Sequence, residues 1–128
     1  MPEPFIFIST YTIKEGKIEE YSAFTCEVVE LIHSNEPRLL AYSTYASEDG
    51  TKATTVQVHP DADSMMFHMQ LMREKLDSTH KFLDTESITF CGELNDQVLE
   101  MVRQIAGSGV TLNVNPQQLG GFTRLMSG

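Results

Sequence analysis

The sequence predicts an α+β domain of the split βαβ kind, with elements in the order β-α-β-β-α-β and a short helix and tail behind them. Three stretches predict it. An apolar run passes into a helix-period run between Phe5 and His33, a hairpin signal centres on Asp49-Gly50, and a second helix-period run after Pro60 leads into another strand-like run.

Phe5 to Ile13 reads as a strand whose first half is apolar at both parities, with Phe5 and Phe7 on one side and Ile6 and Ile8 on the other. After a turn at Glu15-Gly16, Ile18, Tyr21, Phe24, Val28 and Leu31 recur at steps of three and four. Lys17, Glu19, Glu20, Glu27 and Glu30 take the opposite side, which makes this the strongest helix signal in the chain. Asn35-Glu36-Pro37 stops the helix, because proline disfavours helical geometry in the residue before it and has no N–H to donate. Leu39 to Ala46 is the second strand and Ala53 to His59 its return, joined by Ser47-Glu48-Asp49-Gly50, where Asp-Gly adopts left-handed conformations at little cost.

Pro60 to Ser64 holds several N-cap candidates for the second helix, with Met65, Met69, Met72 and Leu76 as its buried stripe and Arg73, Glu74, Lys75 and Asp77 as its wet side. A fourth strand runs from Thr85 or Glu86 to Leu94. Asn95 caps a short third helix with Val98, Leu99, Val102 and Ile105 on its apolar side, and Gly107-Ser108-Gly109 ends it. Val110, Leu112 and Val114 then alternate with polar residues as a short strand before a loop and Phe122-Thr-Arg-Leu125, a tail that could form a hairpin or wrap a neighbour.

Right-handed crossovers place both long helices on one face of the sheet and leave the other bare. Because the first strand is apolar on both sides, something must cover its second side; each large apolar side chain left in water forgoes about 1.5–3 kcal/mol. A homodimer packed sheet to sheet answers that need. The alternative is that the C-terminal segment folds back over the face, but its apolar content is small.

At 128 residues the chain makes one domain, with a core at 5–94 and an extension at 95–128, and needs no disulfide or metal staple. Eighteen acidic against nine basic residues give a net charge of −9, which repels nucleic acid and anionic membrane surfaces. Met1-Pro2-Glu3-Pro4-Phe5 lacks the basic region of a signal peptide, and the apolar run after it is too short to span a bilayer. Cys26 and Cys91 make no disulfide framework and read as reduced, so a cytoplasmic location is expected.

The first strand, the Lys14-Glu15-Gly16-Lys17 turn, the helix opening Ile18-Glu-Glu-Tyr21, and a second helix that carries His68 after Pro60-Asp-Ala-Asp-Ser64 resemble the dimeric α/β-barrel superfamily. Its antibiotic-biosynthesis-monooxygenase-like branch is the nearest to this sequence. The resemblance covers about Phe5 to Leu94. It implies a ferredoxin-like subunit whose sheet joins its mate's to form a dimeric α/β barrel, with a ligand pocket between each sheet and its helices. Some members oxidise aromatic polyketides or quinols with molecular oxygen and no cofactor, some degrade haem, and many have no established role. His68 falls where many carry a histidine early in the second helix. A tryptophan they often place at the end of the third strand would fall near Val58 or His59, and this chain has none. An asparagine of the haem-degrading branch is replaced by Ser9, which argues against haem degradation.

Cofactorless oxygenation needs a base to deprotonate an electron-rich phenol or enol in a dry pocket. His68, flanked by Phe67 and Met69 and one turn before Met72, is the candidate base, although an isolated helix histidine more often has no task. Tyr11 and Tyr45, with Tyr42, are strand tyrosines able to orient a phenolic ligand; as a class, such tyrosines more often fill sheet surfaces. His59 suits a structural hydrogen bond at its strand end, and His33 and His80 suit helix C-termini. Met65, Met66, Met69 and Met72 make either core or a soft wall for a flat ligand. No metal spacing, phosphate-binding glycine loop or activated cysteine is present, so no cofactor is expected. The two readings that follow are an oxygenase-like enzyme for a small aromatic or quinol-type compound and a non-catalytic dimeric module that binds a ligand or a partner.

Overall fold

The computed structural model describes residues 4–106, 109–122 and 124. Its elements are β1 (Phe5–Ile13), α1 (Ile18–Asn35), β2 (Ala41–Ala46), β3 (Lys52–His59), α2 (Ala62–Thr79), β4 (Leu83–Cys91), α3 (Asp96–Ala106) and β5 (Thr111–Asn115). They build a five-stranded sheet in the order β2-β3-β1-β4-β5. The first four strands pair antiparallel, as a ferredoxin-like unit requires, while β5 joins parallel to β4 through the α3 crossover. Sequence expectations for Leu76, Asp77 and Ile105 as side chains, and for Gly107, Ser108, Thr123 and Leu125, lie outside what the structure describes.

The local signals act as the sequence implies. Asp61 Oδ1 accepts the Ser64 N–H at 3.0 Å to cap α2, and Asn95 Oδ1 accepts the Val98 N–H at 2.8 Å to cap α3. The β2–β3 turn closes with Gly50 N–H on Ser47 O at 3.0 Å, and Gly50 takes φ +72°, a value that costs glycine little. β4 departs from expectation at both ends. It starts at Leu83, which pairs with Ile13, and stops at Cys91 because Gly92 turns away at φ +126° with Phe5 packed against it. A bulge hides its alternation: Thr10 pairs with Ser87 but Tyr11 with Thr85, so Glu86 is the extra residue.

The helix-facing side of the sheet holds two apolar clusters. Phe5, Phe7, Met65, Met69, Ile88, Phe90, Val98 and Val102 form the larger, and Ile13, Tyr21, Ala53 and Leu83 the smaller. Between them the inward rows of β1 and β3 turn polar, with Ser9 and Tyr11 on one and Thr55 and Gln57 on the other. Hydroxyl and amide groups cannot close an apolar seam, so the sheet and helices part there. This polar interruption positions the site.

On the opposite side, Ile6 pairs with Val58 and Ile8 with Val56, all half-buried, inside a surround that includes Thr10, Thr54 and Thr89. The described part of the C-terminal segment lies elsewhere: α3 packs its Val98 and Val102 into the helix-side cluster, and β5 extends the sheet edge. Among the described residues, no helix is long and apolar enough to cross a membrane.

Candidate functional site

The gap between the two clusters is a cavity of about 140 Å³. Phe7, Phe24, Val28, Met65, Met69 and Met72 give it apolar walls, and Tyr11, Tyr21, Tyr42, Thr55, Gln57 and His68 supply its polar groups. It approaches the roughly 150 Å³ of an apolar protein cavity that holds benzene, so a single ring fits.

His68 is buried on the second turn of α2, and its Nδ1 lies 2.8 Å from Glu36 Oε2. Glu36 reaches this place because α1 ends beneath it: the Glu36 N–H closes the last turn on Ile32 O, and the chain turns at Pro37 and carries the carboxylate inward. Its side chain is only 2% exposed, so the carboxylate is committed to His68, and its Oε1 has no hydrogen-bond partner. With Nδ1 taken by the carboxylate, Nε2 is the ring nitrogen that His68, a lining residue, has left for the cavity. The Tyr42 ring stands 5.8 Å from the His68 ring and the His59 ring 5.9 Å, centroid to centroid.

Tyr11 and Tyr42 meet His68 around the same space. Tyr11 Oη is 2.5 Å from Ser9 Oγ, and burial pushes its hydroxyl up to about 12. Burial raises Tyr42 as well, with Tyr11 and Tyr21 nearby adding to it. Both stay protonated through the neutral range and serve as O–H donors.

Tyr45 is not in this group. It pairs with Thr54 on the outward parity of β2 and is 63% exposed, whereas Tyr42 and Thr44 point inward, Thr44 meeting Thr55 at 2.9 Å. The expectation that Tyr45 lines the pocket is corrected to Tyr42, because β2 carries a tyrosine at each parity and only the pairing chooses between them. His80 lies at the cavity margin and His33 on the exposed last turn of α1. Sequence reasoning missed Glu36, which it read as part of a helix stop, and Gln57. The alternation Ala53, Thr55, Gln57, His59 offered a signal for Gln57 once the inner parity of β3 was assigned.

His59 has the structural role expected of it. Fully buried, its Nδ1 is 2.7 Å from Ser64 Oγ and its Nε2 is 2.9 Å from Gln57 Oε1. Burial, with His68 beside it, pushes His59 down to about 3. An unfolded histidine takes up its proton near pH 6.5, so native stability is full above about 6.5 and drains as pH falls toward 3. The slope from this one group approaches about 1.4 kcal/mol per pH unit. Denaturant titrations across that window check it, and His59→Gln, which cannot titrate, is expected to flatten the slope.

The fold that frames this site is shared with solved structures, candidate antibiotic biosynthesis monooxygenases among them. MupZ from Pseudomonas fluorescens is 19% identical with a TM-score of 0.72, over 94% of this chain and 91% of that one, an extent that takes in the C-terminal extension. A candidate antibiotic biosynthesis monooxygenase from Caulobacter crescentus CB15 is 12% identical with a TM-score of 0.63, over 72% of this chain and 91% of that one. SnoaB, a cofactor-independent oxygenase from Streptomyces nogalater, is 10% identical with a TM-score of 0.59, over 73% and 95%. At such identities the likeness is one of fold. No family model matches the sequence, and no curated protein matches it.

Proposed function

We propose that the protein takes a small aromatic or quinol-type compound into the cavity between sheet and helices and acts on it as a cofactor-independent monooxygenase. His68 serves as general base, Glu36 orients it, and the Tyr11 and Tyr42 hydroxyls hold the ring oxygen. The observation that carries this reading is the buried Glu36–His68 hydrogen bond, which leaves Nε2 as the reactive nitrogen on an apolar, ring-sized space. Deprotonating a phenol or enol there yields an electron-rich anion, and a dry cavity favours passing an electron from it to oxygen. A cofactor-independent oxygenase of the same fold supports the reading.

Oxygen uptake with anthrone and with quinols tests it. Wild-type protein is expected to consume oxygen and His68→Gln, which retains a donor for Glu36, to lose most of that activity. Equal rates would remove His68 from the mechanism. Ring binding without any oxygen uptake would instead support the non-catalytic binding module.

The working unit in this proposal is a homodimer joined through the outer sheet face, in the cytoplasm, where the free Cys26 and Cys91 stay reduced. The half-buried Ile6, Ile8, Val56 and Val58 support it, since no described element covers them. Sedimentation equilibrium at micromolar concentration is expected to give a dimer for wild type and monomers for Ile8→Asp; wild-type monomers alone would refute it.

A further inference from the structure

Past β5 the chain leaves the domain. Asn115 is pinned at the end of that strand: its carbonyl accepts the Gly92 N–H at 3.0 Å, and its side-chain amide donates to Phe90 O at 3.2 Å. Pro116 follows, and with no N–H to give it does not carry the ladder on. From there to Phe122 every residue is exposed. Leu119 is 97% exposed and Phe122 82%, barer than any other large apolar side chain among the described residues. Arg124 lies over the Phe122 ring, 4.9 Å from its centroid, and still leaves it mostly bare. One exposed leucine needs no explanation, but a leucine and a phenylalanine three positions apart on a projecting arm mark a contact surface.

Two observations say what covers them. The first is where the arm starts. Asn115, Cys91, Ile6, Val58 and Ala41 form one row across the sheet, so the arm leaves from the rim of the outer face at the end that carries Ile6 and Val58. A second copy seated on that face lies in its path. Residues 116–122 reach as far as about 23–25 Å when extended, enough to pass several strands spaced about 4.8 Å apart. The second is charge. All eighteen acidic residues lie at or before Glu100, and after Arg103 the only charged side chain is Arg124. An apolar arm free of carboxylates therefore meets the acidic domain of another copy without repulsion.

We propose that the stretch from Pro116 to Phe122 is an intersubunit arm that buries Leu119 and Phe122 on a second copy of this chain. Two-fold symmetry makes the exchange mutual, so each copy straps the other. The inference rests on the dimer through the outer sheet face and adds to it a contact that the sheets do not make; it is independent of any chemistry in the cavity.

The test photo-crosslinks the full chain carrying Phe122→p-benzoylphenylalanine at micromolar concentration, beside sedimentation equilibrium of wild type and of the paired variant Leu119→Ser, Phe122→Ser. Illumination is expected to give a covalent dimer on a denaturing gel, with the adduct mapped by mass spectrometry to the sister chain. The paired variant is expected to raise the dimer Kd about 100-fold; complete burial on both arms would give more, and ordering the arms takes part of it back. Both positions are exposed in the chain's own fold, so the substitutions are expected to leave the far-UV circular dichroism spectrum unchanged. With wild type sedimenting as a dimer, an unchanged Kd, an adduct confined to the arm's own chain, or no adduct overturns the arm and leaves the sheet-to-sheet dimer standing. Wild-type monomers overturn the dimer and the arm together.

Discussion

If His68 is the base, Glu36→Gln is expected to lower kcat about 10- to 1,000-fold while leaving KM within a few fold, because Glu36 meets His68 and is not among the residues that line the cavity. In the proposed mechanism the carboxylate holds Nδ1 and stabilises the positive charge that the imidazole acquires when Nε2 takes a proton. Glutamine preserves the shape and one hydrogen bond but supplies no charge, and its amide can turn to offer a donor, which would favour the wrong tautomer. A drop in kcat with ligand affinity preserved is the signature of a positioning residue. A rise in KM with kcat unchanged would place Glu36 in ligand binding and refute the dyad. His68→Ala is the harsher change, since it strands a buried carboxylate whose second oxygen is already unpartnered. Breaking a buried pair in this way costs about 3–5 kcal/mol. Chemical denaturation of His68→Ala beside His68→Gln checks that figure.

Phe90→Ala is expected to cost about 3–5 kcal/mol of folding stability, the usual range for emptying a phenylalanine site in a closed core. Phe90 is fully buried, with its ring 5.5 Å from Phe5 and 5.0 Å from Phe7, centroid to centroid. Val98 and Val102 of α3 belong to the same cluster, and Leu112 of β5 packs against it. The C-terminal extension is thus part of the wall over Phe90, and the cavity left by the substitution cannot collapse without moving α3. A loss below about 1 kcal/mol by urea titration would show instead that α3 sits loosely and that the core closes without it.

Much of the fold was legible because its signals are local. The helix period from Ile18 to Leu31 requires one buried face, and Tyr21, Val28 and Ile32 are the residues found buried there. Asp49-Gly50 and Asn95 act at their own backbone as turn and cap, with no distant partner to consult. The start of β4 was not legible, because the bulge at Glu86 resets the parity between Thr85 and Ile88, and a bulge is a property of the pairing with β1. His68 could be picked out as a candidate, yet the carboxylate that meets it lies 32 positions away in sequence, at the end of another helix.

The sequence by itself determined the element order, the two-faced apolar first strand, the caps, and a histidine early in α2, since each depends on neighbours within a turn or on the period of one element. Only the tertiary structure decided that Tyr42 and not Tyr45 enters the cavity, that Glu36 meets His68, and that His59 bridges Ser64 and Gln57. The physical reason is distance along the chain. A hydrogen bond between residues of different elements exists only after the sheet has fixed its register and the helices have packed, and no local pattern encodes that meeting.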